Sequence, residues 1–262
     1  MMQTTAGEIF EFLKLMAPLE LQMDFDNAGF LVGDRGRRVE KALLALDATS
    51  EVIDEAIDFG ADMIITHHPL IWNAMKSLTT DDIMQRRVMK LVKNNISLVS
   101  MHTNLDIADG GVNDAFAAAL GLEDPGPLGD PEGLCRVGYL SSPMPLQDFA
   151  CKVCRDLHAN GVRYAGCGKM VHRVAVGGGA CADYVHHAIT AGCDTFVTAD
   201  LSYHQFLDAE GMGINLIDAG HFPTEDPVCA RLVSYLTDRF PELTVFKSAS
   251  HREVIQYCVE GE

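Results

Sequence analysis

The sequence predicts an α/β protein made of two similar halves, each built around a mostly parallel sheet. The first observation is a β-α-β-α-β order of apolar runs and amphipathic segments in the first half, which is typical of parallel sheets. The second is an internal repeat, because residues 39–66 align without a gap with residues 171–198, 132 positions further on. The third is that three apolar runs lead directly into histidine and carboxylate residues. The two halves therefore look like copies of one unit.

The elements of the first half follow from capping and periodicity. The segment Thr5-Ala6-Gly7-Glu8 has the form of a capping box, and apolar residues at helical spacing after it predict a helix that ends at Pro18. Further apolar runs predict strands, and capped periodic segments predict helices between them. In chain order these are strand 41–46, helix 50–59, strand 63–66, a helix near 82–94 and strand 96–101.

The second half is expected to begin after a stretch rich in Asp, Pro and Gly at 123–132. We therefore predict a first α/β half at 1–124, a connecting segment at 125–132 and a second α/β half at 133–262. The pattern also predicts a helix over 146–160 and a final strand over 254–259. Within that helix, Cys151 and Cys154 are interpreted as a buried structural pair rather than a redox or zinc pair.

Composition excludes several classes of function. The chain has 262 residues, 48% of them hydrophobic, which is enough for one large or two small domains. A net charge of −17 gives no broad basic surface for nucleic acid or anionic membrane, although a local basic pocket remains possible. No apolar run reaches membrane-spanning length, and the first residues do not resemble an export signal. A cytoplasmic protein is expected.

Metal-binding residue types follow three of the predicted strands. Ligands of open α/β sheets bind at the carboxyl ends of strands, and imidazole with carboxylate suits zinc, iron, manganese, nickel and cobalt. Neighbouring strand residues point to opposite faces, so His67 and His68 can share a site only if the backbone turns there, as Pro69 favours. A site for two divalent ions is predicted from this set: His67, His68, Asp106, His221 and Glu225.

Other polar residues receive weaker assignments. His102 is either a ligand or a residue that orients Asp106, and Asp200 and His204, at i and i+4 of a predicted helix, are candidates for supporting or substrate-binding roles. The glycines Gly177-Gly178-Gly179 resemble a phosphate-binding loop, but a tight turn is favoured. The remaining histidines are not expected in the site: His186 and His187 in the middle of a helix, and His158, His172 and His251 without convergent partners.

Four blocks of the sequence resemble a known family. They are Asp26-Asn27-Ala28-Gly29, Thr66-His67-His68-Pro69, His102-Thr103-Asn104-Leu105-Asp106 and Gly220-His221-Phe222-Pro223-Thr224-Glu225. The chain resembles the GTP cyclohydrolase 1 type 2 homologue family, also called NIF-three-like after the NGG-one-interacting factor.

The resemblance implies a duplicated α/β fold with a dinuclear metal centre in the cleft between the halves, and a homohexameric ring. Glu225 would be shared between the two ions. The chain departs from the family pattern at Phe25, where many members have Trp, and at Ala199-Asp200, where Gly followed by Asp or Glu is common. Neither departure affects a predicted ligand.

The function predicted from these residues is that of a metal-dependent hydrolase acting on a nucleotide or a phosphoester, with a water activated by two divalent ions. No side chain is assigned as the catalytic acid or base. The alternative is a non-catalytic metal-binding, metal-delivery or regulatory protein. The residue types do not choose among the divalent ions, and a small-molecule substrate is expected without further identity.

Overall fold

A computed structural model describes residues 4–258 and shows a mixed α/β protein with two sheets. The helices are α1 (Ala6–Met16), α2 (Ser50–Phe59), α3 (Ile83–Lys93), α4 (Thr103–Ile107), α5 (Val112–Ala119), α6 (Leu146–Asp156), α7 (Val185–Thr190), α8 (Tyr203–Met212), α9 (His221–Glu225) and α10 (Pro227–Arg239). The strands are β1 (Gly29–Val32), β2 (Lys41–Ala45), β3 (Met63–Thr66), β4 (Ser97–Ser100), β5 (Glu123–Pro127), β6 (Arg136–Met144), β7 (Arg163–Ala165), β8 (Val171–Val176), β9 (Thr195–Thr198), β10 (Asn215–Asp218) and β11 (Thr244–Lys247).

The described chain divides into two compact units. The first unit comprises residues 4–109 and Cys229–Arg252, and the second comprises Gly110–Val228 and residues 253–258. This division differs from the halves expected at 1–124 and 133–262, because the segment Cys229–Arg252 returns to the first unit. Within residues 4–258, no helix is both long and apolar enough to cross a membrane.

The sheet of the first unit has the strand order β1-β4-β3-β2-β11. Strands β4, β3, β2 and β11 are parallel, and β1 runs antiparallel to β4. Every residue of β3 and β4 is buried, which explains why these strands read as continuous apolar runs. At the start of the unit the predicted capping box is present, since the Thr5 and Glu8 side chains each accept from the other's backbone N–H.

The sheet of the second unit has the strand order β5-β6-β8-β9-β10-β7. Strands β8, β9 and β10 are parallel, whereas β7, β6 and β5 are antiparallel to their neighbours. One face packs on a core that includes Phe116, Phe149 and Val174. The predicted α/β fold is therefore confirmed. The sheet of the first unit is mostly parallel as expected, whereas in the second unit only β8, β9 and β10 are parallel and the other three pairings are antiparallel.

Strand registers show the internal duplication directly. Ala42 of β2 pairs with Met63 of β3, and Val174 of β8 pairs with Thr195 of β9, so both members of the pair are repeated at the predicted spacing. Beyond the repeat, the sequence alone aligns His102-x-x-x-Asp106 with His221-x-x-x-Glu225, after a shorter connection in the second copy, and this alignment is one residue out. The backbone N–H of Met101 donates to Thr66 and that of Ala219 donates to Thr198, so His102 corresponds to Gly220 rather than to His221.

Four local predictions were wrong. Part of the expected connecting segment 125–132 lies in β5, an edge strand, where proline is tolerated because one side of the strand needs no backbone donor. Residues 254–258 form no strand, and residue 259 lies outside the described chain. The helix predicted over 146–160 ends at Asp156, and its two cysteines are not a buried pair, since Cys151 is exposed and Cys154 partly exposed.

Candidate metal centre

In the first unit, the two adjacent histidines lie just beyond the end of a buried strand. Strand β3 ends at Thr66, and the Thr66 side chain donates to the carbonyl of His68 over 2.9 Å. Because the chain leaves the regular strand here, the rings of His67 and His68 can lie on the same side, with centroids 4.8 Å apart. The turn that the sequence required at this point is present.

Each histidine of this rim is held through Nδ1 by an oxygen acceptor. His67 Nδ1 lies 2.8 Å from the carbonyl of Met101, and His68 Nδ1 lies 3.0 Å from Asp47 Oδ1. His102 Nδ1 lies 2.8 Å from Asp26 Oδ1. A carbonyl or a carboxylate can only accept, so each ring donates from Nδ1, and its Nε2 then carries the lone pair that a metal ion needs.

The three imidazoles form a cluster with metal-site dimensions. A ring nitrogen of each of His67, His68 and His102 lies within 4.8 Å of the others. Asp106, on the short helix α4, adds a buried carboxylate whose Oδ1 lies 3.5 Å from His67 Nε2. The structure therefore brings together the predicted ligands of the first unit and adds His102 to them.

Asp47 is a supporting residue that the sequence did not reveal. Its two oxygens contact His68 Nδ1 at 3.0 Å and His251 Nε2 at 3.3 Å. Burial acts to raise the pKa of the Asp47 carboxyl, but the hydrogen bonds from His251 and His68 outweigh it and hold this pKa well below its usual range. Asp47 is therefore ionised, and as an acceptor it fixes both rings.

His251 was expected to have no convergent partner, and this was wrong. The imidazole is buried, accepts from the backbone N–H of Leu46 at Nδ1 over 3.2 Å and faces Asp47 through Nε2. Its loop is held by Glu55, whose carboxylate accepts from the backbone N–H groups of Ala249 and Ser250 at 2.8 and 3.1 Å. The contact was invisible in the sequence because more than two hundred residues separate the partners.

Asp26 supports the third histidine of the first unit. Its carboxylate accepts from His102 Nδ1 at 2.8 Å and from the backbone N–H of Thr103 at 3.0 Å. Burial alone would raise the pKa of Asp26, but these hydrogen bonds and that of the Thr103 hydroxyl lower it to about 2. The carboxylate that begins the Asp26-Asn27-Ala28-Gly29 block thus orients a histidine.

In the second unit, a second histidine and carboxylate are placed on helix α9. His221 Nε2 lies 3.2 Å from Oε1 of Glu225, one helical turn later, and Glu225 is almost fully buried. His221 Nδ1 lies 2.7 Å from Asp200 Oδ2, which repeats the arrangement of the first unit. A buried carboxylate beside an oriented imidazole again provides ligands of the type that divalent ions prefer.

Asp200 and His204 are placed differently from expectation. Asp200 is not on a helix: it follows β9 with a φ of 56°, a left-handed conformation that Asp tolerates, and helix α8 begins only at Tyr203. His204 is exposed, and its ring lies 5.4 Å from that of Tyr203. Of these two residues, Asp200 is the one described in contact with a predicted ligand, His221.

The glycine loop after β8 supports helix α9. The backbone N–H of Gly178 donates to Asn113 Oδ1 at 2.7 Å, and that of Gly179 donates to Thr224 Oγ1 at 3.0 Å. A Cβ on Gly179 would lie 2.3 Å from Glu225 Oε1, so only glycine allows the backbone to pass this carboxylate. These N–H groups serve the protein itself, which agrees with a turn rather than a phosphate-binding loop.

The donor set suits divalent ions. Nitrogen and oxygen donors predominate at both rims, and their carboxylates and oriented imidazoles match the preferences of zinc, iron, manganese, nickel and cobalt. The fold and these donors define a duplicated α/β protein whose strand ends carry histidine and carboxylate pairs.

Comparison with known proteins agrees with this class. The family model of Duf34/NIF3 (NGG1p interacting factor 3) matches residues 4–253. A Clostridium perfringens protein named GTP cyclohydrolase 1 type 2 homolog is 36% identical over 239 residues, covering 89% of this chain and 91% of the relative. The chain belongs to the Duf34/NIF3 family.

Solved structures support the same assignment. A Bacillus cereus protein described as related to NIF3 matches with a TM-score of 0.92 at 26% identity, covering 98% of this chain and 100% of the other. A Methanocaldococcus jannaschii structure described as reduced HcgD matches with a TM-score of 0.81 at 30% identity, covering 94% and 98% of the two chains. The predicted family and fold are therefore confirmed.

Proposed function

We propose that this protein binds two divalent metal ions and acts as a metal-dependent hydrolase on a nucleotide or a phosphoester. The name of the Clostridium perfringens relative, GTP cyclohydrolase 1 type 2 homolog, makes purine nucleotides the first compounds to test. The proposed ligands are His67, His68 and Asp106 of the first unit and His221 and Glu225 of the second, with His102 as a ligand or an orienting residue.

The observation that carries the proposal is the common orientation of the histidines. His68, His102 and His221 each donate from Nδ1 to a carboxylate, and His67 faces a backbone carbonyl in the same way. Histidines that bind metal almost always donate their other N–H to such an acceptor, which fixes the tautomer and raises the basicity of the ligating nitrogen. Four rings arranged alike are not explained by packing alone.

When bound, divalent ions would supply a lowered pKa for water and polarisation of the bond under attack. The contribution of the chain is to hold the donors in place. Asp47, Asp26 and Asp200 keep three imidazoles in one tautomer and one orientation, and the buried Glu225 lies close to the Gly179 backbone. This preorganisation means that few side chains need to move when an ion binds.

The test is metal content per chain, measured by mass spectrometry on untagged protein purified without chelator. We expect about two divalent ions per chain, the number that a two-metal site requires. His67→Ala in the first unit and Glu225→Ala in the second are each expected to remove both ions, because the proposed centre uses ligands from both. His186→Ala, in an exposed position on helix α7, is the matched control and should retain them.

Two outcomes would contradict this arrangement. Loss of one ion in His67→Ala and of the other in Glu225→Ala would indicate separate sites in the two units. Protein that stays empty when offered zinc, iron or manganese would remove the metal proposal altogether. If both ions bind and no purine nucleotide or phosphoester is turned over, the hydrolase proposal fails and the alternative, a metal-binding or metal-delivery protein, takes its place.

We also propose a homohexameric assembly and a cytoplasmic location. The assembly rests on the family resemblance and is tested by sedimentation equilibrium, where any mass other than six chains contradicts it. The location is supported by the exposed Cys151 thiol, which suits a reducing compartment.

A further inference from the structure

Two exposed aromatic side chains lie close together in the first unit. Phe25 is 62% exposed as a residue, and Trp72, the only tryptophan of the sequence, is 45% exposed. Their centroids are 6.1 Å apart with an angle of 38° between the planes. Large aromatic rings gain free energy from burial, so an exposed pair points to a surface that binds something. We call Phe25 and Trp72 the aromatic platform.

The aromatic platform adjoins the histidine cluster. The Trp72 ring meets the His102 ring edge to face, with centroids 5.5 Å apart and planes at 77°. The His102 ring is in turn 5.1 Å from that of His67. A group that rested on Trp72 would therefore lie beside the imidazoles proposed to bind metal.

Polar contacts, rather than packing of the two rings, hold the platform's backbone. The Asn27 side chain donates to the carbonyl of Ile71 at 2.6 Å and so joins the two loops that carry the aromatic residues. On the other side, Met23 N–H donates to the Thr103 hydroxyl at 2.9 Å, and Asp26 accepts from His102. Both loops are fixed without burying either ring, so the platform is preorganised for a ligand.

The charge around the platform favours a ring over a phosphate. Asp24, next to Phe25 in the sequence, is exposed, and the whole chain carries a net charge of −17. Such a surface does not attract an anionic group, whereas stacking on an aromatic face requires no positive charge. Stacking favours flat partners, because a planar ring can lie parallel to the indole and contact more of its face than an aliphatic group can.

We propose that the aromatic platform binds the planar heteroaromatic ring of the substrate by stacking on Trp72, with Phe25 as the second contact. The inference rests on the proposed function for the placement of this ring next to the metal ions, whereas ring binding itself requires no metal. It identifies the substrate as a compound with a flat ring, such as a purine, and assigns Phe25 and Trp72 to its recognition.

The experiment uses the fluorescence of Trp72, which reports on the platform alone because the sequence has no other tryptophan. Guanosine and adenosine are titrated to millimolar concentrations, with ribose 5-phosphate as the probe that lacks a ring system. Both nucleosides should quench the emission saturably, and ribose 5-phosphate should not. Phe25→Leu should weaken nucleoside binding about tenfold, a typical loss when a stacking contact is removed.

Phe59→Leu is the matched control, because Phe59 is 54% exposed in the same unit and the contact described for its ring is with Phe246. It should leave nucleoside binding unchanged. Trp72→Leu, followed by equilibrium dialysis with guanosine, should lower affinity at least as much as Phe25→Leu. Circular dichroism of each variant shows whether the fold is retained.

Three results would overturn the inference: no saturable quenching by either nucleoside, equal quenching by ribose 5-phosphate, or equal loss in Phe25→Leu and Phe59→Leu. A change of sedimentation mass in Phe25→Leu without a change in nucleoside binding would also overturn it, since the platform would then be a contact between copies. The titration is repeated on metal-stripped His67→Ala protein. If this variant still shows saturable quenching and the wild-type protein is found to bind no metal, the proposed function fails while the platform assignment holds.

Discussion

Equivalent positions of the two units carry side chains with different roles: a proposed metal ligand in one unit and a carboxylate that orients a histidine in the other. In the first unit a carboxylate, Asp47, follows β2 and a proposed ligand, His68, follows β3. In the second unit the position equivalent to Asp47 is Gly179, and the position equivalent to His68 is Asp200. Asp200 orients the imidazole of His221, so the supporting carboxylate has moved by one strand.

This difference shows how two copies of one strand pair can carry different side chains at their ends. The pairing of β2 with β3 has the same register as that of β8 with β9, so this strand pair is unchanged. The strand beside the pair does differ, since β11 is parallel to β2 whereas β6 is antiparallel to β8. Within this strand pair, the residues that follow each strand differ between the two units. Side chains at strand ends tolerate replacement because they contribute little to the core, whereas strand residues are fully buried and cannot change as freely.

The largest effect is expected for Gly179→Ala, which places a side chain where the first unit has one. The new Cβ would lie 2.3 Å from Glu225 Oε1, at a residue whose φ is +65°. Left-handed backbone costs about 1–2 kcal/mol for a residue other than glycine, and the clash adds to it. We expect the melting temperature to fall by at least about 4 °C and metal content to drop. Calorimetry and metal analysis provide the measurements.

Gly168→Ala is the control for that variant, since its φ is +83° and no atom lies within 4 Å of the added Cβ. Gly168→Ala therefore has the free-energy cost of a left-handed backbone without a steric clash. If both variants lose the same stability and keep the same metal content, the close approach of the glycine loop to Glu225 has no functional consequence.

The next effect compares the two supporting carboxylates, Asp47→Asn and Asp200→Asn. Each change keeps the size of the side chain but removes the charge that holds an imidazole, which typically costs about 10–100-fold in metal affinity. Asp47→Asn should lose more, because Asp47 contacts both His68 and His251 whereas the described contact of Asp200 is with His221. Competition with a chelator measures the affinities. The reverse order would show that the second unit dominates binding.

A smaller effect concerns acid stability and Asp26. The pKa of Asp26 is lowered to about 2, so between about pH 4 and pH 2 the unfolded chain binds more protons than the folded one. The stabilisation is therefore complete above about pH 4 and is lost as pH falls through about 2. At about 1.4 kcal/mol per pKa unit, the stabilisation amounts to about 2 kcal/mol.

Urea unfolding of metal-stripped protein between pH 2 and pH 5 measures how much Asp26 contributes to the free energy of unfolding. Asp26→Asn should flatten the rise of unfolding free energy with pH, whereas Asp238→Asn, at an exposed position on helix α10, should leave the slope unchanged. An unchanged slope in Asp26→Asn would mean that the contact with His102 does not hold Asp26 ionised.

The smallest effect is expected for His204→Ala. The side chain is exposed, and its described ring contact is with Tyr203. Removing it should change metal affinity less than about twofold, which is within the usual scatter of surface substitutions. A tenfold loss of metal affinity would restore the supporting role that the sequence had suggested for His204. The second unit would then have two supporting residues, Asp200 and His204.

Much of the fold was predictable because its signals are local. Capping residues, apolar runs and the repeat between residues 39–66 and 171–198 depend on neighbours in the sequence, and they predicted α1, α2, β2 and β3 closely. The final strand failed for the opposite reason. Strand β11 is exposed or half-buried along its length and gains its place by pairing with β2, two hundred residues earlier, which no local pattern reveals.

The sequence by itself determined which residue types end the strands, and hence the chemistry available at each rim. Only the tertiary structure decided which side chains orient them. Asp47 contacts His68 and His251 because loops distant in the chain converge. Gly179 lies close to Glu225 because its backbone adopts the left-handed conformation. Such contacts depend on the paths of loops and on strand registers accurate to one residue. By register, for example, His102 is equivalent to Gly220 and not to His221. Side-chain identity is local information, whereas orientation is a property of the folded chain.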